Sequence, residues 1–366
     1  MTCAAFVAAA TLLAACAGSS EKNATVEPPT AQLSPTASPL NVTFAAPGPA
    51  AFSVLSGYTT GAIDIERFMP YDIHVREGDS IEWTSHGIEG HTVTFSDQAT
   101  LRRIMSSYLV PDTEVPGQQL FNPDLAYRSR TGDTFAGDGT YFNSGFFGVP
   151  VEQKYRLTFT KRGVYEYLCL VHPLWMRGTV SVDAPDAKVE SPETVAERGR
   201  AELATYMEEE KRALANATAE RRDVPGPEGT TLHRVGVGVV TPYGQVAAFV
   251  KPTLTIKSGD TVIFENDERN FHNVVFKGDR KELPPGYSVR IDPEGRGLNV
   301  ALDQQSAAAV EPPPAGFDDQ TFMSSGTMGP TMPRSTWRLT FDKPGTYQFA
   351  CTLHTFAGMA GVITVE

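Results

Sequence analysis

Val75-Arg-Glu-Gly-Asp-Ser-Ile-Glu-Trp83 matches Ile256-Lys-Ser-Gly-Asp-Thr-Val-Ile-Phe264, 181 residues further along the chain. Eight residues after each closing aromatic comes a histidine, His91 in the first copy and His272 in the second. Later segments repeat at an offset of 182, Tyr155-Arg-Leu-Thr-Phe159 with Trp337-Arg-Leu-Thr-Phe341. Self-similarity at a nearly fixed offset indicates a duplicated domain, and a drift of one or two residues across the repeat indicates small loop insertions.

The repeated segments predict short strands. They alternate apolar and polar residues, are rich in Val, Ile, Thr, Phe and Tyr, and are separated by Gly-Asp or Lys-Pro-Gly turns. Short strands at this spacing form antiparallel sandwiches or barrels. We therefore predict an all-β chain built from two sandwich-like or barrel-like units in tandem.

Composition narrows the class of protein. The chain has 366 residues, of which 41% are hydrophobic and 20% charged, values typical of a globular protein with two or three domains. Its 32 glycines and 27 prolines favour a turn-rich β protein. The formal net charge of −12 argues against nucleic acid or an anionic membrane surface as a partner.

One stretch between the repeats, roughly 190–222, has a helical pattern. Ser191 is the expected N-cap, and Pro192 occupies the first helical position. The apolar stripe is thin and consists of Val195, Leu203, Met207 and Leu214. We predict a helical connector packed on one domain, with an interaction helix as the alternative.

Each repeat ends with a cysteine, a histidine and a methionine close together. These are Cys169, His172 and Met176 in the first repeat and Cys351, His354 and Met359 in the second. With the upstream His91 and His272, each repeat carries one set of His, Cys, His and Met. A thiolate and two imidazoles in a trigonal arrangement, with a weak axial thioether, suit copper that cycles between two oxidation states.

At these residues the chain resembles the cupredoxin family of plastocyanin-like blue copper proteins. The Cys351-x2-His354-x4-Met359 spacing matches the plastocyanin pattern, and Cys169-x2-His172-x3-Met176 is one residue shorter. The resemblance covers most of 53–183 and 231–366, although loops such as Leu283–Gln320 exceed what a minimal member needs. It implies two Greek-key β-sandwiches with one type 1 copper each. The implied ligands are His91, Cys169, His172 and Met176 in the first repeat, and His272, Cys351, His354 and Met359 in the second.

The same resemblance implies neighbours of the ligands. In the family an Asn after the first His ties the ligand loops together and supports the thiolate; Asn273 holds that place in the second repeat and Thr92 in the first. Because hydrogen bonds near the sulfur tune a copper site, we expect the two potentials to differ. His172 and His354 are expected to be partly exposed ligands through which electrons pass.

Core packing and a disulfide are the alternatives to metal ligation for Cys169 and Cys351. Core packing accounts for a lone buried Cys near His and Met, but two sets in register make coincidence improbable. A disulfide between Cys169 and Cys351 would join equivalent positions of two different domains. Unpaired cysteines outside the cytoplasm favour metal ligation.

The enzymes built from cupredoxin domains place a histidine directly beside the blue-site cysteine. Here Leu168 and Leu170 flank Cys169, Ala350 and Thr352 flank Cys351, and the sequence contains no His-x-His. The three remaining histidines are His74, His86 and His233, of which His86 is the one credible spare ligand. We therefore predict that the protein is not an enzyme.

The N-terminus predicts export. Residues 4–15 form an apolar run of 12, too short for a membrane span and suited to a signal peptide. Leu13-Ala14-Ala15-Cys16 resembles the lipobox of bacterial lipoproteins, which implies a lipid anchor on Cys16. An unprocessed apolar N-terminus is the alternative. Residues 17–52 are rich in Pro, Ser, Thr and Ala and predict a disordered tether.

The predicted organisation is a signal peptide (1–16), a tether (17–52), domain 1 (53–184), a helical connector (185–230) and domain 2 (231–366). The function expected is a membrane-tethered, extracytoplasmic electron carrier with two type 1 copper ions that serves redox protein partners. A copper storage or delivery protein is one alternative. A carrier with copper only in the second site is another.

Overall fold

The computed structural model describes residues 43–87, 89–129, 131–147, 154–267, 270–314, 316–329 and 334–366. The expected signal peptide, Cys16 and most of the expected tether lie outside these ranges. Within them, none of the helices combines the length and the apolar character that a membrane span requires.

The first half of the chain contributes twelve strands and two short helices. The strands are β1 (Ala51–Thr60), β2 (Ile63–Met69), β3 (Asp72–Arg76), β4 (Ser80–His86), β5 (Thr94–Phe95), β6 (Leu109–Pro111), β7 (Gln119–Phe121), β8 (Thr134–Phe135), β9 (Phe142–Asn143), β10 (Lys154–Phe159), β11 (Gly163–Leu168) and β12 (Arg177–Asp183). The helices are α1 (Gln98–Met105) and α2 (Pro123–Ala126).

Helix α3 (Pro192–Glu220) leads into the second half. The strands there are β13 (Val224–Pro225), β14 (Thr231–Val240), β15 (Gly244–Val250), β16 (Thr253–Ile256), β17 (Thr261–Glu265), β18 (Val275–Phe276), β19 (Tyr287–Ile291), β20 (Leu298–Leu302), β21 (Ala309–Val310), β22 (Met323–Ser325), β23 (Thr336–Thr340), β24 (Gly345–Ala350) and β25 (Ala360–Val365). Helix α4 is Gln304–Ala307, and 3-10 turns cover Pro227–Gly229 and Thr352–Ala357.

Each half is a two-sheet sandwich, which confirms the predicted all-β tandem fold. In the first half, β2-β1-β4-β10-β8 face β3-β12-β11-β5-β9; in the second, β15-β14-β17-β23 face β16-β25-β24-β18-β22-β21. Each sandwich has its own apolar core, in which Trp83 and Phe264, the aromatics that close the repeated segment, are fully buried.

The repeated Gly-Asp turn has the same structural role in both halves. Asp79 accepts the amide hydrogens of Ala50 and Arg76 at 2.6 and 2.7 Å. Asp260 accepts those of Thr231 and Lys257 at 2.7 and 2.9 Å. Each carboxylate therefore ties the turn before a central strand to the start of the strand beside it.

One sheet runs through both halves. Strand β2 pairs antiparallel with β15, so that the two sandwiches share a single 10-stranded sheet. In this pair Ile65 lies opposite Gly244, Asp64 opposite Gln245 and Ile63 opposite Val246. Because Asp64 and Gln245 are equivalent positions of the repeat, 181 residues apart, the pairing is symmetric about them. We call this junction of β2 and β15 the seam.

The long stretches between the first His and the Cys form a second connection. Strands β6 and β7 of the first half and β19 and β20 of the second make a four-stranded sheet, with Leu120 paired to Ala301. The Gln118 amide donates to Ser288 Oγ at 2.7 Å, and Arg290 pairs with Asp112 at 2.5 Å. The residues in excess of a minimal cupredoxin thus hold the halves together.

Helix α3 begins as predicted, with Ser191 Oγ accepting the Thr194 amide hydrogen and Pro192 in the first turn. The expectation that it packs on one domain is wrong. It contacts β1 and β2 of the first half and β14 and β15 of the second. Leu203, Met207 and Leu214 of its apolar stripe pack at the seam with apolar side chains of both halves, including Ile65 and Val246. Val195, the first residue of the stripe, packs in the core of the first sandwich.

Candidate metal centres

The first predicted ligand set comes together at one end of the first sandwich. His91 lies in the segment between β4 and β5, and Cys169 follows β11 directly. His172 lies in the turn between β11 and β12, and Met176 immediately precedes β12. The Cys169 amide donates to the Met176 carbonyl at 2.9 Å, which closes that turn. Cys169 Sγ lies 3.9 Å from His91 Nδ1 and 3.8 Å from His172 Nδ1.

The second set has the same arrangement. Cys351 Sγ lies 3.8 Å from His272 Nδ1 and 3.4 Å from His354 Nδ1. His354 belongs to the 3-10 turn after β24, and Met359 immediately precedes β25. The Cys351 amide donates to the Met359 carbonyl at 2.9 Å.

Both donor sets fit a copper ion. In each, one sulfur and two imidazole nitrogens lie within 4.8 Å of one another, and all six residues are at most 3% exposed. With metal–ligand bonds of about 2.0–2.3 Å, two ligands of one ion are about 3–4 Å apart, as these are. Two imidazoles and one thiolate are the equatorial donors of a trigonal copper site. Cys169 and Cys351 are both free thiols, as this role requires.

The histidines also favour the thiolate form of each cysteine. Burial raises the pKa of the Cys351 thiol, but the charge of His354 and hydrogen bonds from both histidines outweigh burial and lower that pKa to about 5. Burial and the two histidines oppose each other in the same way at Cys169, and the pKa of its thiol is held well below the usual range. Since the thiolate is the metal-binding form, both sites are prepared for a cation at neutral pH.

The residues after the first histidines tie the ligand segments together, as the family resemblance implies. The Asn273 amide hydrogen points to Cys351 Sγ at 3.4 Å, and the Thr92 amide hydrogen points to Cys169 Sγ at 3.3 Å. The Asn273 side chain accepts from the Thr352 amide at 2.8 Å. Thr92 Oγ1 accepts from the Leu170 amide at 2.7 Å. The two sites therefore share one design with different side chains.

Met176 and Met359 are 0% and 2% exposed and pack in the same apolar clusters as Cys169 and Cys351. Their role as axial ligands stays a prediction. Among the other histidines, His233 lies between Asp223 and Asp260, and His74 pairs with Asp183. His86, the spare ligand, is exposed at the end of β4.

The expectation that His172 and His354 are partly exposed is wrong. They are 3% and 2% exposed because each faces the other half of the molecule. Glu89 lies between them: its Oε2 is 3.3 Å from His172 Nε2 and its Oε1 is 3.1 Å from His354 Nε2. One carboxylate thus separates the outer edges of the two ligand imidazoles.

A second acid, Glu66 on β2, lies on the first-half side of this junction. Its Oε1 is 3.6 Å from His172 Nε2 and accepts the Asn270 amide at 2.7 Å, while its Oε2 accepts from the Trp175 indole. Burial raises the pKa of Glu66 to about 7, against the opposing effect of His172. Burial also raises the pKa of Glu89, but hydrogen bonds from His172 and His354 outweigh burial and keep that pKa well below its usual range.

Sequence reasoning missed Glu66 and Glu89. One signal was available: Ile63-Asp-Ile-Glu66 places two acids next to isoleucines, and the structure buries all four residues. Another was that Glu89 and Asn270 occupy equivalent positions two residues before the first histidine of each repeat. Neither signal shows that the two halves meet there.

Known proteins resemble about a third of this chain. A sequence profile described as copper binding proteins, plastocyanin/azurin family, matches residues 237–366. The plastocyanin of Vicia faba is 30% identical over 119 residues, which are 32% of this chain and 88% of that protein. The chloroplastic plastocyanin of Oryza sativa subsp. indica is 30% identical over 123 residues, 34% of this chain and 58% of that protein.

A solved structure of a mutant plastocyanin of fern is 23% identical, with a TM-score of 0.20 over 36% of this chain and 99% of that chain. The similarity to the Vicia faba protein, at 30% identity across nearly the whole of it, agrees with the matched profile and with the pattern of Cys351, His354 and Met359. The chain therefore belongs to the plastocyanin/azurin family of copper binding proteins, the cupredoxins.

Proposed function

We propose that this protein is an extracytoplasmic electron carrier with one type 1 copper ion in each half. The observation that supports it best is the pair of equivalent, buried sets in which a thiolate faces two Nδ1 atoms (His91, Cys169, His172 and His272, Cys351, His354). Bound copper supplies a one-electron couple between Cu(I) and Cu(II). Redox proteins are the proposed partners.

The chain's own residues suit such a couple because they resist rearrangement. Cys169 and Cys351 are anchored by backbone hydrogen bonds at strand ends, and both are fully buried. Ligands fixed on a rigid sheet cannot easily follow the different geometries that the two oxidation states prefer. Burial also keeps water out of the coordination sphere, which favours a carrier over a catalyst, since catalytic copper needs an open position.

The tether belongs to the same proposal. The motif Leu13-Ala14-Ala15-Cys16 supports lipid attachment at Cys16, and the Pro-rich segment after it supports a flexible link to the membrane. Mass spectrometry of the protein from its native membrane tests this directly. The expected N-terminal peptide begins at a lipid-modified Cys16; an unmodified peptide that contains Met1 would refute the anchor.

A carrier with copper only in the second site is the second candidate, because the family profile matches residues 237–366, which lie in the second half. Copper content and the visible spectrum of the full chain separate the two candidates. We expect two coppers per chain and an intense blue thiolate band, and one copper in each of the variants Cys169→Ser and Cys351→Ser. One copper per chain, unchanged by Cys169→Ser, would establish the second candidate, and a colourless copper-loaded protein would exclude both.

A further inference from the structure

Glu89 contacts ligand histidines of both metal centres. Its two carboxylate oxygens are divided between the centres, with Oε2 3.3 Å from His172 Nε2 and Oε1 3.1 Å from His354 Nε2. The Glu89 side chain is 17% exposed and the two histidine side chains are 4% and 2% exposed. The contact is therefore largely shielded from water. Electrostatic interactions are stronger in such a place than in water.

The chemistry of the imidazoles fixes the direction of these hydrogen bonds. Both histidines turn Nδ1 towards a cysteine sulfur. A neutral imidazole that gives the Nδ1 lone pair to a metal keeps its proton on Nε2, which is then a donor. A carboxylate can accept from two donors at once, one on each oxygen. His172 and His354 therefore both donate to Glu89.

A side chain of the second half also holds this carboxylate in place. The Gln245 amide on β15 donates to Glu89 Oε1 at 2.7 Å. Gln245 lies on the seam opposite Asp64, so the contact that orients Glu89 is built by the joining of the two sandwiches. Glu89 belongs to the first half and is fixed by the second.

The duplication makes the arrangement asymmetric. The counterpart of Glu89 in the second repeat is Asn270, whose amide donates to Glu66. A carboxylate at position 270 would instead lie against Glu66 and repel it. The repeat thus carries a carboxylate at position 89 and a neutral amide at position 270.

Resting on the proposed function that both sites hold copper, we propose that Glu89 is a positioning residue shared by the two sites: it orients His172 and His354 and lowers the reduction potential of both coppers. The cause is electrostatic. A negative charge on the outer edge of a ligand imidazole makes that ligand a better donor and favours the more positive oxidation state. Because the same carboxylate serves both ligands, one substitution changes two centres.

The test measures each site by itself in the full-length chain. Copper-loaded Cys351→Ser reports the centre of the first half, site 1, and copper-loaded Cys169→Ser reports the centre of the second half, site 2. We expect Glu89→Gln to shift the reduction potential upward in both backgrounds, because the substitution removes the charge and keeps the shape. In contrast, Glu66→Gln should shift the reduction potential of site 1 alone, since Glu66 lies near His172. Glu208→Gln, at an exposed position of α3, should change neither potential.

A second measurement reports the hydrogen bonds without relying on the potentials. In the diamagnetic Cu(I) protein, we expect exchange-protected Nε2–H proton resonances for His172 and His354 in the wild type, and both should be lost in Glu89→Ala. Glu89→Asp keeps the charge on a shorter side chain. It should therefore raise the two reduction potentials less than Glu89→Gln does, and it should weaken at least one of the two resonances.

Three results would overturn the inference while the proposed function stands. They are a Glu89→Gln protein in which only one potential or neither changes, wild-type Cu(I) protein in which one of the two resonances is absent, and a third bound copper that disappears in Glu89→Gln. The last would make Glu89 a metal ligand. If the wild type binds no copper, or binds it without a blue band, the proposed function fails first, and copper analysis shows this before any variant is made.

Discussion

Each metal centre consists of one cysteine sulfur between two histidine Nδ1 atoms. Single residues beside these ligands determine whether the three atoms can come together. At the first centre one such neighbour is Gly57 in β1, which has a φ of +76°. A Cβ at this position would lie 2.2 Å from His91 Nε2. The strand approaches the imidazole so closely that only hydrogen fits.

We therefore expect Gly57→Ala to displace His91 and to reduce copper to one equivalent per chain, with the second site unchanged. The side chain would also be strained in the left-handed region, at a cost of about 1–2 kcal/mol. Gly61→Ala is the matched control, because Gly61 has a φ of +57° and open space around it. It should lose similar stability and keep both coppers; equal copper loss in both variants would contradict the steric explanation.

The turn residue Asp260 predicts a pH dependence of stability. Burial raises its pKa, but hydrogen bonds from the Lys257 and Thr231 amides and from His233 outweigh burial and lower it. A carboxyl with a lowered folded-state pKa stabilises the fold above its unfolded value of about 3.9, and this stabilisation is lost as pH falls through the folded-state value.

Asp260→Asn should accordingly cost about 1–3 kcal/mol in the free energy of unfolding at pH 7, with a smaller difference from the wild type below about pH 4. Urea unfolding of the copper-free protein over pH 3 to 7 measures this. Asp186→Asn, at an exposed position, should show little change. A penalty for Asp260→Asn that stays constant down to pH 3 would show that the charge is irrelevant.

Among the secondary-structure elements, helix α3 packs very closely against strand β2. Gly199 lies where the helix crosses β2, and a Cβ there would be 2.8 Å from the Met69 carbonyl oxygen and 2.9 Å from its carbon. These are backbone atoms of a buried strand and cannot move aside cheaply. Further along the helix, Tyr206 stacks on Tyr243 with ring centroids 4.2 Å apart, which fixes the helix to the second half.

This geometry reverses the usual effect of a helix substitution. Gly→Ala inside an exposed helix stabilises by about 1 kcal/mol, but Gly199→Ala should destabilise the protein because the helix must lift from β2. Ala204→Gly, at an exposed position of the same helix, should show the ordinary loss of about 1 kcal/mol. Chemical denaturation of both variants gives the comparison, and a stabilised Gly199→Ala protein would disprove the close contact.

At the scale of the whole molecule, the two sandwiches are joined in three ways: by the seam, by α3 across it, and by the sheet of β6, β7, β19 and β20. Each of these connections contains contacts with strands of both halves. Separating the halves would expose apolar residues such as Ile65 and Val246 and leave the strand edges at the seam unpaired.

The copper-free protein should therefore unfold in one cooperative transition, with equal calorimetric and van't Hoff enthalpies. Copper bound only at site 1, in Cys351→Ser, should raise the midpoint of that single transition, by an amount that corresponds to about 2.7 kcal/mol when free copper is 100 times the dissociation constant. Two resolved transitions, of which only one responds to copper, would show that the halves unfold independently.

The sequence determined the parts that depend on local pattern. Alternating segments around Trp83 and Phe264 indicated the strands, the offset indicated two copies, and the grouping of Cys351, His354 and Met359 indicated the metal and the family. These signals are readable because ligand loops and turns are set by residues close together in the chain. The start of α3 at Ser191 was readable for the same reason.

How the two copies meet follows from long-range packing and cannot be read from local sequence. Glu66, Glu89 and Gln245 carry no local motif, and their roles depend on contacts between residues up to 265 positions apart, as between Glu89 and His354. The burial of His172 and His354 follows from the same contact, since each sandwich covers the ligand edge of the other. Periodicity specifies which face of a strand is apolar, but the partner of that face is chosen by packing over the whole molecule.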